Sequence, residues 1–407
     1  MLMSSCLTPK AYREKNDGLP QLEPDVLAHG EQVLAFLHEQ IARAGGVLDF
    51  AEFMRLALYA PSLGYYAAGM TKFGAGGDFV TAPEVSPLFA RTVAHQVAEA
   101  LATLGQDAEV LEFGAGSGAL AVELLLALER LQCLPSRYLI LEVSASLREV
   151  QRERLKQSAP HLLERVVWLE AWPQDFVGVM LGNEVLDAMP VRMLEVTARE
   201  PLRVAVGDSA HGLVWAKLPA SEDDLRVLAE LEAARGEAFP EGYRVEFHPD
   251  LPGWLQGVAQ ALKQGLVLLF DYGAAAHEFY APERWMGTLR CHLRHHAHND
   301  PLIYPGLQDI TAWVDFSRVA RCAKNSSLDV VGYTMQAHFL LGCGLAEVYE
   351  QAFAEAEREV DRLRLAQGFK TLMMPGEMGE RFKVMALGKG LDVSLSGFAM
   401  RDFRGRL

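Results

Sequence analysis

Val110–Gly118, VLEFGAGSG, carries the strongest architectural signal in the chain. Its first half reads as a short buried strand. Its second half sets glycines at 114, 116 and 118, directly before an apolar-periodic helix, ALAVELLLALERL (119–131). Glycines between a strand and a helix let the backbone turn tightly and approach a ligand closely, and the helix N-terminus favours negative charge. The alternation continues outward. RYLILEVS (137–144) reads as a second strand and ASLREVQRERLKQSA (145–159) as its helix, while VVWLEAW (166–172) and VGVMLGNEV (177–185) supply a third and fourth strand. GLVLLFDYG (265–273) is a strongly buried strand, and LDVVGYTM (328–335) and RFKVMALGKG (381–390) are two closing strands with a helical stretch between them. This repetition predicts an α/β fold, doubly wound, with a mainly parallel sheet and helices on both faces.

GAGSGA also satisfies the dinucleotide form G-x-G-x-x-G/A, so a nicotinamide cofactor competes for the loop. Two carboxylates favour a different ligand. Glu112 lies two residues before the first glycine, where it would repel a pyrophosphate. S-adenosylmethionine (SAM) has no phosphate and carries a sulfonium and an ammonium, which a nearby carboxylate stabilises. Glu142 ends the second strand, where ribose hydroxyls arrive in such sheets. Asp175 is a candidate for the adenine amino group with Trp172 flanking the ring, although an aromatic after a strand is more often core.

Ligands of open α/β sheets sit beyond the carboxyl ends of the strands. GNEVLDAMP (182–190) puts Asn183, Glu184 and Asp187 at that edge. Many enzymes that methylate base amino groups carry an N/D-P-P-aromatic turn there; its absence argues against nucleic-acid bases. A carboxylate beside a methyl donor suits an amine or guanidinium acceptor, which it can clamp and relieve of a proton as the new C–N bond forms. Glu184 is the first candidate for that role and Asp271 of FDYG the second; a capping or ion-paired Glu184 is the structural alternative. CHLRHHAHND (291–300) concentrates His292, His295, His296 and His298 but has no i,i+4 pair of the HExxH kind. A structural or substrate-lining loop is expected there, and no metal.

Composition narrows the partners. Lys and Arg number 38 against 53 Asp and Glu, a net charge of −15, so phosphate backbones are repelled and nucleic acid is not expected. Half the residues are apolar, enough for a sizeable core. The five cysteines, Cys6, Cys133, Cys291, Cys322 and Cys343, are scattered without CxxC, as in a reducing compartment. The first residues show no apolar signal region, and no apolar run approaches the ~18–20 residues of a membrane span. A cytoplasmic protein is expected.

Longer motifs add a family. GYYAAGMTKFGAGGDFVTAPEVSPLF (64–89), LEFGAGSGAL (111–120), LEVSASLREVQ (141–151), GNEVLDAMPV (182–191), FDYG (270–273), TLRCHLRHHAHNDPLIYPGLQDITAWVDF (288–316) and MGERFKVMALGKG (378–390) occur in this order. Together they resemble the MidA-like family of SAM-dependent methyltransferases, related to the mitochondrial protein arginine methyltransferase that assists assembly of respiratory complex I. The likeness spans about residues 30–390 and is weakest over 193–248. It implies methylation of an arginine in a protein substrate, with a complex I subunit as one acceptor to consider. It further implies that Asp78 and Thr81 of GDFVTAPE lie near SAM and that Glu112, Gly114, Gly116 and Gly118 cradle its methionine part. Glu142 would take the ribose, and Asn183 and Glu184 would lie beside the transferable methyl. Where relatives commonly read T-A-H-V-D-F, this chain has Trp313 in TAWVDF, which puts any role of that histidine in doubt; Asp309 and Asp315 remain.

The expected fold is a class I SAM-dependent methyltransferase with a seven-stranded sheet, its last two strands a hairpin interrupted by helices at about 336–375. The expected segments are an N-terminal helical part with a Gly-rich capping loop (1–87), a first core part (88–192), an inserted β-containing lobe (193–248) and a second core part (249–407). Methylation of a small amine or carboxylate, and a SAM-binding assembly factor that acts mainly by docking, are the alternatives to protein-arginine methylation. A homodimer is the assembly considered.

Overall fold

The computed structural model describes residues 18–68 and 81–407. The quoted run becomes the central strand of a sheet built from β1 (Glu109–Phe113), β2 (Tyr138–Leu141), β3 (Val166–Leu169), β4 (Phe176–Asn183), β5 (Leu262–Ala274), β6 (Asp329–Met335) and β7 (Phe382–Lys389). Their order is β6-β7-β5-β4-β1-β2-β3. β1 to β5 are parallel, and β7 runs antiparallel to both β5 and β6. This is the class I methyltransferase arrangement. The chain leaves β1 toward β2 and β3, then returns to the other side of β1 for β4, so the topological switch point lies beyond the carboxyl end of β1.

The solid apolar runs reflect helices on both faces of the sheet. In β5, Leu266, Leu268 and Phe270 join one core with helices Pro87–Leu104 and Ala119–Arg130. The alternate residues Val267 and Leu269 join the other, with helices Leu251–Ala261 and Phe316–Asn325. Helices Gln336–Gly342, Leu345–Glu355 and Glu359–Met373 interrupt the closing hairpin of β6 and β7. Register aligns the strand ends: Phe113 is level with Leu141 and with Gly182, and Asn183 with Phe270. Gly114, Glu142, Glu184 and Asp271 therefore leave the sheet along one edge.

Among the described residues, 81–189, 250–281 and 313–407 form one compact unit and 18–68, 190–249 and 282–312 another. The second unit draws on three stretches of chain; strand pairing joins the first two, and hydrogen bonds from Thr288 to Glu246 tie in the third. Val47–Asp49 pairs with Leu202–Ser209, which also pairs with Arg192–Glu195 and Gly212–Pro219. Asp49 caps helix Phe50–Tyr59 and holds Arg192 at 2.9 Å and Arg203 at 3.2 Å. The fully buried Asp224 takes the same two arginines. Among the described residues, no helix is long and apolar enough to cross a membrane.

Candidate active site

The loop after β1 turns on Gly114, Gly116 and Gly118, all at positive φ. Gly118 is the N-cap of helix Ala119–Arg130 with φ 81°, and a Cβ there would lie 3.2 Å from the Gln151 Cα. Glycine is thus required both by the left-handed backbone and by the close approach of the next helix. Ser117 in the loop hydrogen-bonds Glu84, and Arg154 donates to Ser117 at 2.7 Å and to Glu84 at 2.9 Å. Thr81 sits at the N-cap position of helix Ala82–Val85, which carries Glu84. Asp78 lies outside the described residues.

Glu112 is buried, and the Tyr138 hydroxyl donates to it at 2.5 Å. Burial pushes its carboxyl up to about 7; the Tyr138 hydrogen bond opposes this shift and the Glu142 charge adds to it. Glu112 thus lies behind the glycine loop as a carboxyl that a bound cation would ionise. Glu142, also buried, accepts the Ser144 N–H at 2.9 Å and the Gln151 amide at 3.2 Å.

Trp172 packs its ring near Phe113 (5.5 Å between centroids) and Trp254 (6.3 Å) and stays 36% exposed. One side of the indole is thus core and the other is accessible. Asp175 is not brought to the site. It is exposed and immediately precedes β4, whose first residue pairs with Leu262, the first residue of β5. That is the opposite edge of the sheet from the glycine loop. The reason is the connection: β3 ends at Leu169 and no helix intervenes before Phe176, so the chain crosses straight back. Glu170, just beyond the end of β3, stands level with Glu142 and pairs with Arg148 at 3.4 Å.

The edge after β4 gathers the acids Glu184, Asp187 and Asp271. Glu184 adopts φ 53°, a left-handed conformation that disfavours a non-glycine residue by about 1–2 kcal/mol, and its N–H donates to Phe270 O at 2.8 Å. The Asn183 amide donates to Glu184 at 3.1 Å. Asp271 spends both oxygens on backbone amides: Leu186 and Asp187 on one, at 2.9 and 3.3 Å, and Tyr272 on the other, at 3.0 Å. Asp187, placed at this edge by the sequence but given no task there, is 4% exposed, and its Oδ1 is buried with no hydrogen-bond partner among the described residues. Burial raises Asp187 to about 7, against a Tyr272 hydrogen bond. Asp271 is pushed well above its ordinary value by burial and by the charges of Asp187 and Glu184, both of its own sign.

The histidines lie on the small sheet of Arg290–Leu293, His296–His298 and Asp309–Thr311, in the unit that does not contain the glycine loop. Burial first, then the Arg290 charge, lowers His292. No group of three or more His, Cys, Asp or Glu among the described residues could hold a metal ion. Asp309 accepts the Tyr66 hydroxyl at 2.9 Å, and Asp315 caps helix Phe316–Asn325.

A phosphate-free, cationic ligand suits these residues: a tight glycine loop at the switch point, with a carboxyl at Glu112 that gains from a nearby positive charge. Comparison with known proteins agrees. The family described as "Putative S-adenosyl-L-methionine-dependent methyltransferase" matches residues 92–334. The chain is 30% identical over 376 residues to the protein arginine methyltransferase NDUFAF7, mitochondrial, of Mus musculus, covering 85% of this chain and 82% of that one. It is also 30% identical over 378 residues to the Homo sapiens protein of the same name, covering 85% and 81%. A Burkholderia thailandensis structure bound to S-adenosyl-homocysteine matches with a TM-score of 0.89 at 44% identity, over 96% of this chain and all of that one. The strand order, the loop at the switch point and these matches together make the chain a member of this SAM-dependent methyltransferase family.

Proposed function

We propose that the chain methylates arginine side chains of a protein substrate. The observation that carries this reading is Asp187: a buried carboxylate with an unpartnered oxygen, next to carboxylates of its own sign. Such a place is stabilised by a ligand that brings both positive charge and N–H donors. A guanidinium brings both in a fixed fork. The names of the 30%-identical relatives support the same acceptor.

When bound, the cofactor supplies a methyl group on a positively charged sulfur. The acceptor nitrogen has to be held in line with that carbon and to lose a proton as its new bond forms. Glu184, steadied by the Asn183 amide, holds the guanidinium N–H groups. Asp187 takes the proton on Oδ1. Asp271 keeps the turn between them in shape through the Leu186 and Asp187 amides. The family resemblance makes a respiratory complex I subunit the first acceptor to try, and the scattered free cysteines support a cytoplasmic setting.

The test is incubation of the purified protein with labelled SAM and a cell extract, followed by mass spectrometry of the labelled products. Methylated arginine in a protein is the expected result. Label confined to small molecules would sink the reading. Partner assembly that survives in a Glu184→Gln variant devoid of methyl transfer would identify a docking factor instead.

A further inference from the structure

Gln151 is fully buried on helix Ala145–Ser158, and nothing in the motif reading gave it a task. Its amide joins three strand ends. Nε2 donates to Gly116 O in the glycine loop at 3.0 Å and to Glu142 Oε2 after β2 at 3.2 Å. Oε1 accepts the indole N–H of Trp168, in β3, at 2.9 Å. The orientation is forced, because the flipped amide would set an oxygen against two acceptors and an NH2 against a donor. Arg152 lies over the Trp168 ring at 4.6 Å, so the indole is held on a face as well as at its N–H edge.

We propose that Gln151 is a positioning residue for cofactor recognition: it aims the Glu142 carboxylate at the vicinal hydroxyls of the ribose and ties that aim to the glycine loop. The proposal rests on the reading of Glu142 as the ribose acceptor. A diol is neutral, so a carboxylate recognises it by the direction of its lone pairs more than by charge. Glu142 has three rotatable side-chain bonds, and two fixed donors restrict that freedom. Ser144 N–H donates to Oε1 and Gln151 Nε2 donates to Oε2, so each oxygen is held by its own donor. The same Gln151 amide holds Gly116 O, so the loop and the carboxylate move as one piece.

The test compares binding of S-adenosylhomocysteine and its 2′-deoxy counterpart by calorimetry, in the wild type and in Gln151→Met, which keeps the volume and removes the hydrogen bonds. Wild type should prefer the ribose form about tenfold or more, in line with the loss of a hydrogen bond to a charged group. Gln151→Met should bind the ribose form about tenfold more weakly and discriminate less than about threefold, which a general loss of fold stability would not produce. Discrimination kept intact in Gln151→Met overturns the role of Gln151. No discrimination in the wild type overturns the Glu142 reading on which it rests. If Gln151→Met does not fold, Trp168→Phe removes only the donor to Oε1 and should lower discrimination about threefold; unchanged discrimination there overturns the proposal.

Discussion

Asp271 accepts the backbone N–H of Asp187 at 3.3 Å, so one buried carboxylate sets the position of the next. Burial, and then the Asp187 charge, opposes ionisation of Asp271. On the proposed reading Asp271 is the structural acid of the pair and Asp187 the reactive one.

Asp187→Asn should lower methyl transfer at saturating SAM by about 100-fold while S-adenosylhomocysteine binds within about threefold of wild type. Asp271→Asn should act differently, by lowering the melting temperature, since its oxygens hold three backbone amides. Turnover assays beside thermal melts distinguish the two; a fully active Asp187→Asn would remove Asp187 from the reaction.

The pH profile follows from Asp187, raised by burial to about 7. It must be ionised to accept a proton, so kcat/KM should rise about tenfold per pH unit below 7 and level off above it. The apparent midpoint belongs to the Asp187–Asp271 pair. Asp187→Asn should flatten this limb.

Glu112 predicts a stability effect with a definite sign. Burial raises its carboxyl to about 7 in the folded state, above its ordinary value of 4.5. The ligand-free protein therefore keeps this contribution fully below about 4.5 and loses it as pH rises through 7, by about 3 kcal/mol. Denaturant melts of wild type and Glu112→Gln at pH 5 and pH 8 should show the wild type losing more. Equal losses would count against a buried ionisable Glu112.

Gly118→Ala should weaken S-adenosylhomocysteine binding and cost about 1–2 kcal/mol of stability, because φ is 81° and the new Cβ would lie 3.2 Å from the Gln151 Cα. Calorimetry and melting on the same sample check both parts.

Asp175→Asn should leave cofactor affinity within about twofold, since Asp175 is exposed at the opposite sheet edge. Asparagine tolerates its φ of 52°, so the substitution tests the carboxylate and not the backbone. A tenfold loss would contradict this placement.

Local sequence determined the strands, the glycine turn and the sheet class, because these depend on neighbours a few residues apart. Alternating buried runs, a glycine triplet before a helix and a helical stretch before the last strand suffice for that. It also determined that Asn183 ends a strand and that Glu142 and Glu184 lie just beyond strand ends, since each follows or ends an apolar run. It could not place Asp175, because that depended on whether a helix or a bare crossing follows β3. Nor did it distinguish Asp187 from Asp271 or single out Gln151, since their tasks depend on which atoms stay unpaired after packing. Tertiary structure decided those: long-range register set Asp271 level with the turn after β4, and helix Ala145–Ser158 carried Gln151 to Gly116, Glu142 and Trp168 at once. Hydropathy repeats record which side of an element is buried; they carry no record of which distant polar group meets it there.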